Sequence, residues 1–413
     1  SSPVTLIIIL LRTVGSLVFG GVVFISFLGF LLANEVQIHL LDDSFYTRAL
    51  ADNDIYNRIY DELLIDPQLA EQSQKLLGDF DIPALDAVAL SRKVITPSYL
   101  QTQVETNISN VMTYLKKENY DPKAYIEFEP PINNIKAVIF EYLDTRITRM
   151  EIIPVSTPGE LARELELFFL TVDTGKIPSQ VPSINAIPLV LRTQAYDEAL
   201  DKLNESGAFG RRSIQRLESQ RNEIAGHFAK GDVKSALKLA APILAEPFID
   251  QAINEIRVGL DSRDRLDLVA TMASANNQSR VEFLEDWDTI RDLIDKGITI
   301  GRIGSLTIMA TAVVFLALVH LPRFKHAVFW PSLSLLLTGI VFLMMGLSLK
   351  TQLSNQLSPI CGELPASACN MALDVSNSMA ITLGASIMGS SIVITIIGGG
   401  LLFALVVAVL VRR

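Results

Sequence analysis

Four long apolar segments interrupt this chain, and the first two enclose a large polar block. The segments are residues 14–33, 300–321, 330–349 and 380–411. Each has about 20 residues or more and almost no charge, which is the length that an α-helix needs to cross the hydrocarbon core of a bilayer. The pattern predicts four transmembrane helices, with a folded polar domain over residues 34–299 inserted between the first and the second.

Apolar residues within the polar block mostly recur every three or four positions, the spacing of an amphipathic helix. The clearest case is the segment 98–117, which follows Pro97. The best strand candidate is the segment 124–129, where apolar and polar residues alternate before two prolines. We therefore expect an all-α membrane protein whose polar domain is mainly helical.

Proline residues at 178, 182 and 188 break the helical pattern in the middle of the polar block. We predict a linker over residues 174–188 that could divide the domain into two lobes. The remaining boundaries are a first helix with a short N-terminal segment (1–33), a second and third helix (300–349), a loop (350–379), and a fourth helix with a short tail (380–413).

Basic residues flank the predicted spans at Arg12, at Arg323 and Lys325, and at Arg412 and Arg413. Lys and Arg near span ends mark the cytoplasmic side of a membrane. If all four segments cross, these clusters fall on one side. We expect a multi-pass protein of the plasma or inner membrane with both termini cytoplasmic, and with the domain 34–299 and the loop 350–379 extracytoplasmic.

The chain has two cysteines, Cys361 and Cys369, and both lie in the predicted extracytoplasmic loop. In an oxidising compartment such a pair is expected to form a disulfide that closes a small ring. The alternatives are two free thiols or half of a metal site, although no histidine lies nearby to complete a zinc set.

Charge restricts the partners of the polar block. Seven of the 35 basic residues and two of the 45 acidic residues lie outside it, which leaves it a net charge of −15. Such a surface repels nucleic acid, so we expect the lipid bilayer and other proteins as partners. The block contains one basic cluster, for which internal salt bridges are favoured over an anionic ligand: Arg211, Arg212, Arg216 and Arg221.

The fourth apolar segment is unusually long and rich in small residues. Its 32 residues would form a helix of about 48 Å, so it must tilt, protrude or break. The small residues are predicted to pack against another helix, within the bundle or in a partner; the alternative is a pore wall or a broken transporter helix. They are Gly384, Ser386, Gly389, Ser390, Gly398, Gly399 and Gly400.

Common catalytic and cofactor motifs are missing from the sequence: it has no GxxxxGK[ST], HExxH, GxSxG or CxxC pattern. The four histidines are scattered, and each is expected at the surface or the membrane interface: His39, His227, His320 and His326. The predicted span interiors carry no ionisable residue, which disfavours an ion-coupled transporter. We expect no enzyme activity, no cofactor and no metal.

These observations favour a non-catalytic membrane protein whose outer domain binds or scaffolds other membrane or envelope proteins, as a subunit of a larger complex. The alternative is a channel or a lipid or apolar-solute transport component that uses the fourth span. A third interpretation is an outer-face hydrolase assembled from dispersed acidic residues.

The predicted disulfide can be tested by alkylation of the denatured protein. Without a reductant, iodoacetamide should add nothing to the intact mass, because Cys361 and Cys369 are joined. After reduction it should modify both residues. Modification of both without a reductant would show that the thiols are free.

Overall fold

The computed structural model describes residues 3–67, 82–117, 120–207, 210–321, 324–357, 359 and 364–411. Most of these residues are helical, which confirms the helical class. The chain forms two compact units. Unit 1 comprises Ser1–Tyr56, Val104–Ala124 and Val269–Arg413, and unit 2 comprises Asn57–Gln103 and Tyr125–Leu268.

Sixteen α-helices and four short strands make up the regular structure of the described residues. The α-helices, in chain order, are α1 (Pro3–Glu35), α2 (Asp43–Asp52), α3 (Ile55–Arg58), α4 (Ala84–Val94), α5 (Pro97–Lys116), α6 (Glu129–Arg149), α7 (Pro158–Asp173), α8 (Leu189–Ser206), α9 (Arg211–Ser219), α10 (Arg221–Lys230), α11 (Val233–Val258), α12 (Leu268–Ala275), α13 (Arg280–Thr299), α14 (Ser305–Val319), α15 (Phe324–Leu357) and α16 (Ala366–Val411). The strands are β1 (Tyr125–Glu127), β2 (Glu151–Pro154), β3 (Gln180–Ser183) and β4 (Arg265–Asp267).

Short π-helical segments extend or join several helices. Val36–Leu40 continues α1, and Ile59–Leu63 continues α3. Ile300–Gly304 joins α13 to α14, so the two form one continuous helix. Backbone N–H and C=O groups within lipid must be hydrogen-bonded to one another. The continuous helix provides these hydrogen bonds where the second span begins.

Four helical stretches are long and apolar enough to cross a membrane: Arg12–Leu40, Arg280–Val319, Lys325–Gln356 and Ala366–Leu410. All extend beyond the apolar segments that predicted them. Helix α16 is continuous over 46 residues, so the predicted alternative of a break at residues 398–400 is wrong. Its N-terminal part contacts the C-terminal end of α2, where the capping residue Asn53 donates a 2.8 Å hydrogen bond to Ser378.

The segment 350–379, predicted as a loop, is largely helical. Helix α15 continues to Leu357, and α16 begins at Ala366. Cys369 lies in the first turn of α16, where its backbone N–H donates to the carbonyl of Pro365 at 3.0 Å. Cys361 lies outside the described residues, so the disulfide stays a prediction.

The core of unit 1 lies between α1, α14, α15 and α16. Val23, Phe27 and Leu31 follow one another at intervals of four on α1, and all three are buried. They form this core together with residues of the other three helices, including Phe342 of α15, whose ring centroid lies 5.4 Å from that of Phe27 and 4.9 Å from that of Phe24. Close packing of this kind stabilises the association of helices in lipid, where burial of apolar surface provides no driving force.

Unit 2 is a helical domain with two small sheets. Strand β1 lies within the predicted strand 124–129 and pairs antiparallel with β4, with Tyr125 opposite Asp267. Strands β2 and β3 pair in parallel, with Glu151 opposite Gln180. The helices α6, α7, α8, α9, α10 and α11 all contribute buried residues to a single hydrophobic core.

Helix α7 shows how the local sequence starts an element of this domain. Pro158 occupies the first turn, where its missing N–H costs nothing. Thr157 and Glu160 form a capping box: the Glu160 N–H donates to Thr157 Oγ1 and the Thr157 N–H donates to Glu160 Oε2, both at 3.2 Å. The helix then buries residues such as Leu161 and Leu165 in the core.

The proline-rich segment 174–188 contributes β3 and three core residues, Val181, Ile184 and Ile187, each 1% exposed. Buried residues before and after it belong to the same core. Pro182 lies within β3, and Pro188 immediately precedes α8. Further on, α11 continues through Pro242 and Pro247, each of which removes one backbone donor from the helix.

Candidate functional site

The fourth membrane helix, α16, packs lengthwise against α15 at points where glycine lets the backbones meet. A Cβ added at Gly398 would lie 2.5 Å from the backbone nitrogen of Leu336 and 2.8 Å from the carbonyl oxygen of Ser332. A Cβ added at Gly384 would lie 2.7 Å from the carbonyl oxygen of Gly346. Larger side chains would force the helices apart, so these two predicted residues are packing residues.

The other predicted small residues of α16 have different surroundings. A Cβ at Gly389 or Gly400 would meet nothing within 4 Å, and one at Gly399 would meet only Leu336 Cδ1, at 3.7 Å. Ser390 is half-buried. The small-residue set predicted from the sequence therefore divides into a face that packs on α15 and a face that the described part of the chain leaves uncovered.

Ser386 joins α16 to α1 through a carboxylate. Its hydroxyl donates a 2.7 Å hydrogen bond to Oε1 of Glu35, which is only 6% exposed. The second carboxylate oxygen, Oε2, has no hydrogen-bond partner among the described residues, and Nε2 of His39 lies 3.6 Å from it. The arrangement joins the end of α1 to α16 and places the His39 ring beside the Glu35 carboxyl group.

Glu35 was missed in the sequence because the polar block was taken to begin at residue 34. Helix α1 instead continues through Glu35, and the π-helical segment Val36–Leu40 follows. The interval of four that places Phe27 and Leu31 in the core also reaches Glu35 and His39. Glu35 lies near the C-terminal end of the membrane-crossing stretch Arg12–Leu40, two residues beyond the predicted apolar segment 14–33.

A second polar contact involves Ser16, in the N-terminal half of α1. Ser16 Oγ is 2.7 Å from Nε2 of His320, whose ring stacks on Trp330 with centroids 5.7 Å apart. His320 directly follows the last residue of α14 and is only 5% exposed, so it is buried between helices at the end of the second span. Ser16 Oγ also donates to the carbonyl of Arg12 at 2.8 Å, and which atom donates in its contact with Nε2 of His320 depends on the tautomer of the ring.

The predicted arginine cluster lies in unit 2. Arg221 donates two hydrogen bonds to Asp197, one from Nε to Oδ1 at 2.6 Å and one from Nη2 to Oδ2. Arg216 forms an ion pair with Glu246. The other two arginines are exposed: Arg211 and Arg212. The first two arginines therefore form the internal ion pairs that the sequence favoured over an anionic ligand.

Metal-ligating side chains do not gather in the described part of the chain: no three His, Cys, Asp or Glu residues there could share an ion. His227 has one acidic neighbour, with Nδ1 3.8 Å from Oδ2 of Asp232. That the protein needs no cofactor or metal remains a prediction.

Comparison with known proteins provides no assignment. No protein-family model matches the sequence, and neither curated proteins nor solved structures give a significant match. The function must therefore be inferred from the contacts of the described residues.

The close approach of α15 at Gly398 predicts that alanine substitutions at Gly398 and at Gly400 affect protein stability very differently. Gly398→Ala should lower the stability of the protein by about 1–3 kcal/mol, because the methyl group has no room against α15. Gly400→Ala should change it by less than about 0.5 kcal/mol, because that position is open. Thermal unfolding in mild detergent measures both, and equal midpoints would contradict the packing described.

The contact between Glu35 and Ser386 predicts energetic coupling between α1 and α16. In a double-mutant cycle of Glu35→Ala and Ser386→Ala, the coupling energy should be about 0.6–1.7 kcal/mol, the range of hydrogen bonds between membrane helices. The matched cycle with Ser390→Ala should give a value near zero. Similar coupling in both cycles would show that the hydrogen bond is not the cause.

Proposed function

We propose that this chain is a non-catalytic, multi-pass membrane protein that binds other membrane or envelope proteins as a subunit of a larger complex. The observation that supports the proposal most directly is the uncovered small-residue face of α16. Residues that lie close to one line along this helix are all exposed: Ala385, Gly389, Val393, Ile396 and Gly400.

This face suits contact with another membrane helix. Ala385 and Gly389 are four residues apart, and Gly400 follows three turns later on the same side. Small residues at such intervals let two helix backbones approach closely, which is the main source of helix association in lipid. Since α15 covers the opposite side of α16, the uncovered face is free for a partner helix.

The proposed orientation places both termini in the cytoplasm and the polar block on the other side. Arg12 donates a 3.2 Å hydrogen bond to the carbonyl of Leu321, so the N-terminal end of α1 lies beside the connection between α14 and α15. Lys325 lies just after that connection. Basic residues at one end of the bundle support a cytoplasmic location of that end.

A second candidate function is a channel or a lipid or apolar-solute transport component. The observation in its favour is Glu35, because a buried ionisable residue among membrane helices is costly and commonly lies on a path for ions or protons. Its partner Ser386 belongs to α16, the span that this hypothesis assigns to the conduit.

The partner-binding proposal is tested by filling the uncovered face. Gly389→Leu adds bulk where nothing in the described chain lies within 4 Å, so the variant should fold normally. Partner chains that co-purify with the wild type from native membranes should be reduced about tenfold or more, equivalent to at least about 1.4 kcal/mol of lost association energy.

The matched control is Ala310→Leu, the same kind of change on the exposed surface of α14. It should leave the recovery of partner chains unchanged. Two results would count against the proposal: a wild-type protein that is recovered alone, or equal losses in both variants.

A further inference from the structure

A cavity of about 600 Å³ lies in unit 1 beside the end of α1. Its walls come from α1 and its π-helical extension, from the C-terminal end of α5, and from the continuous helix made of α13, Ile300–Gly304 and α14. The volume is within the range of small-molecule binding sites. Neither Glu35 nor Ser386 lines it, so it is separate from the polar contact between α1 and α16.

One part of the cavity wall is apolar and belongs to the membrane spans. Phe30 comes from α1, Ile303 from the π-helical segment and Leu306 from α14. Ile303 is 68% exposed and Leu306 is 41% exposed. Because these two residues lie in the second span, the apolar wall is continuous with the surface that the bilayer would cover.

The other part of the wall carries two cations, Lys116 at the end of α5 and Arg302 in the π-helical segment. Arg302 Nη1 donates to Oε1 of Gln37, which orients the guanidinium without cancelling its charge. Asp295 is the acidic residue among those lining the cavity. No described carboxylate lies within ion-pair distance of Lys116 or Arg302; Lys116 interacts electrostatically with Asp42 only at longer range, so both cations can bind an anion.

We propose that this cavity binds one anionic phospholipid of the surrounding bilayer. Arg302 and Lys116 hold the phosphate, and the acyl chains run along Ile303 and Leu306 into the lipid. Guanidinium and ammonium groups are the usual ligands of phosphate. The combination of two unpaired cations with a lipid-facing apolar wall selects an anionic lipid over a soluble anion. The proposal does not depend on partner binding by α16.

Native mass spectrometry of the full chain in mild detergent tests the proposal. The protein is titrated with phosphatidylglycerol, or with phosphatidylcholine that has the same acyl chains, and the number and apparent affinity of bound lipids are recorded. One phosphatidylglycerol should bind more tightly than any phosphatidylcholine. Inorganic phosphate at millimolar concentration should not displace it, because phosphate lacks the apolar contacts.

The decisive variant is Lys116→Gln with Arg302→Gln, which removes both charges and keeps side-chain length. Its preference for phosphatidylglycerol should fall about tenfold to thirtyfold. The matched control, Lys117→Gln with Lys296→Gln, removes two exposed charges that are close in the chain to the first two but do not line the cavity. It should stay within about twofold of the wild type. Arg302→Lys, which retains the charge, should keep most of the preference.

Three outcomes would overturn the assignment. Equal losses in the double variant and its control would indicate a general effect of surface charge. Equal affinity for the two lipids would exclude recognition of the anionic headgroup. Displacement of the lipid by inorganic phosphate would indicate an anion site without a lipid.

Discussion

The bundle depends on how closely α15 and α16 approach each other. Apolar side chains gain little from leaving lipid for another apolar surface, so membrane helices associate through tight packing and a few polar contacts. Glycine at 346, 384 and 398 provides the packing, because at each of these positions a Cβ would lie within 3.0 Å of the neighbouring helix. The position of α16 in turn brings Ser386 to Glu35, which fixes the end of α1. Changing the separation of these two helices would therefore disturb the polar contact as well.

One helix thus has two roles that depend on the same residue type. Gly384 and Gly398 contact α15 of the same chain, whereas Gly389 and Gly400 have open space beside them. A leucine facing lipid gains more dispersion energy than a small residue does. The advantage of a small residue there is that another helix can approach it closely. The packing of the bundle and the proposed binding of a partner therefore depend on the same property of glycine.

The sequence predicted the number of spans, the helical class and the strand near residue 125, because each depends on local hydrophobic pattern. It did not predict where the helices end. Helix α16 begins at Ala366, and Ser378, twelve residues later, contacts Asn53 at the end of α2; no local pattern in the sequence indicates that contact. The small residues of α16 were identified, but their division into two faces depends on the position of α15. Glu35 was missed since a carboxylate at a span end resembles the start of a polar domain until its partner on another helix is known.

The same packing also constrains the conduit hypothesis. No solute could pass between α15 and α16 at Gly398 or at Gly384, since even a methyl group would meet the opposing backbone there. A path along α16 therefore has to lie on another side of this helix, and on its uncovered side the described chain provides no opposite wall. That wall would have to come from another protein or another copy of this chain. For a path on that side, the scaffold and conduit hypotheses require the same first step, which is association at the face that contains Gly389.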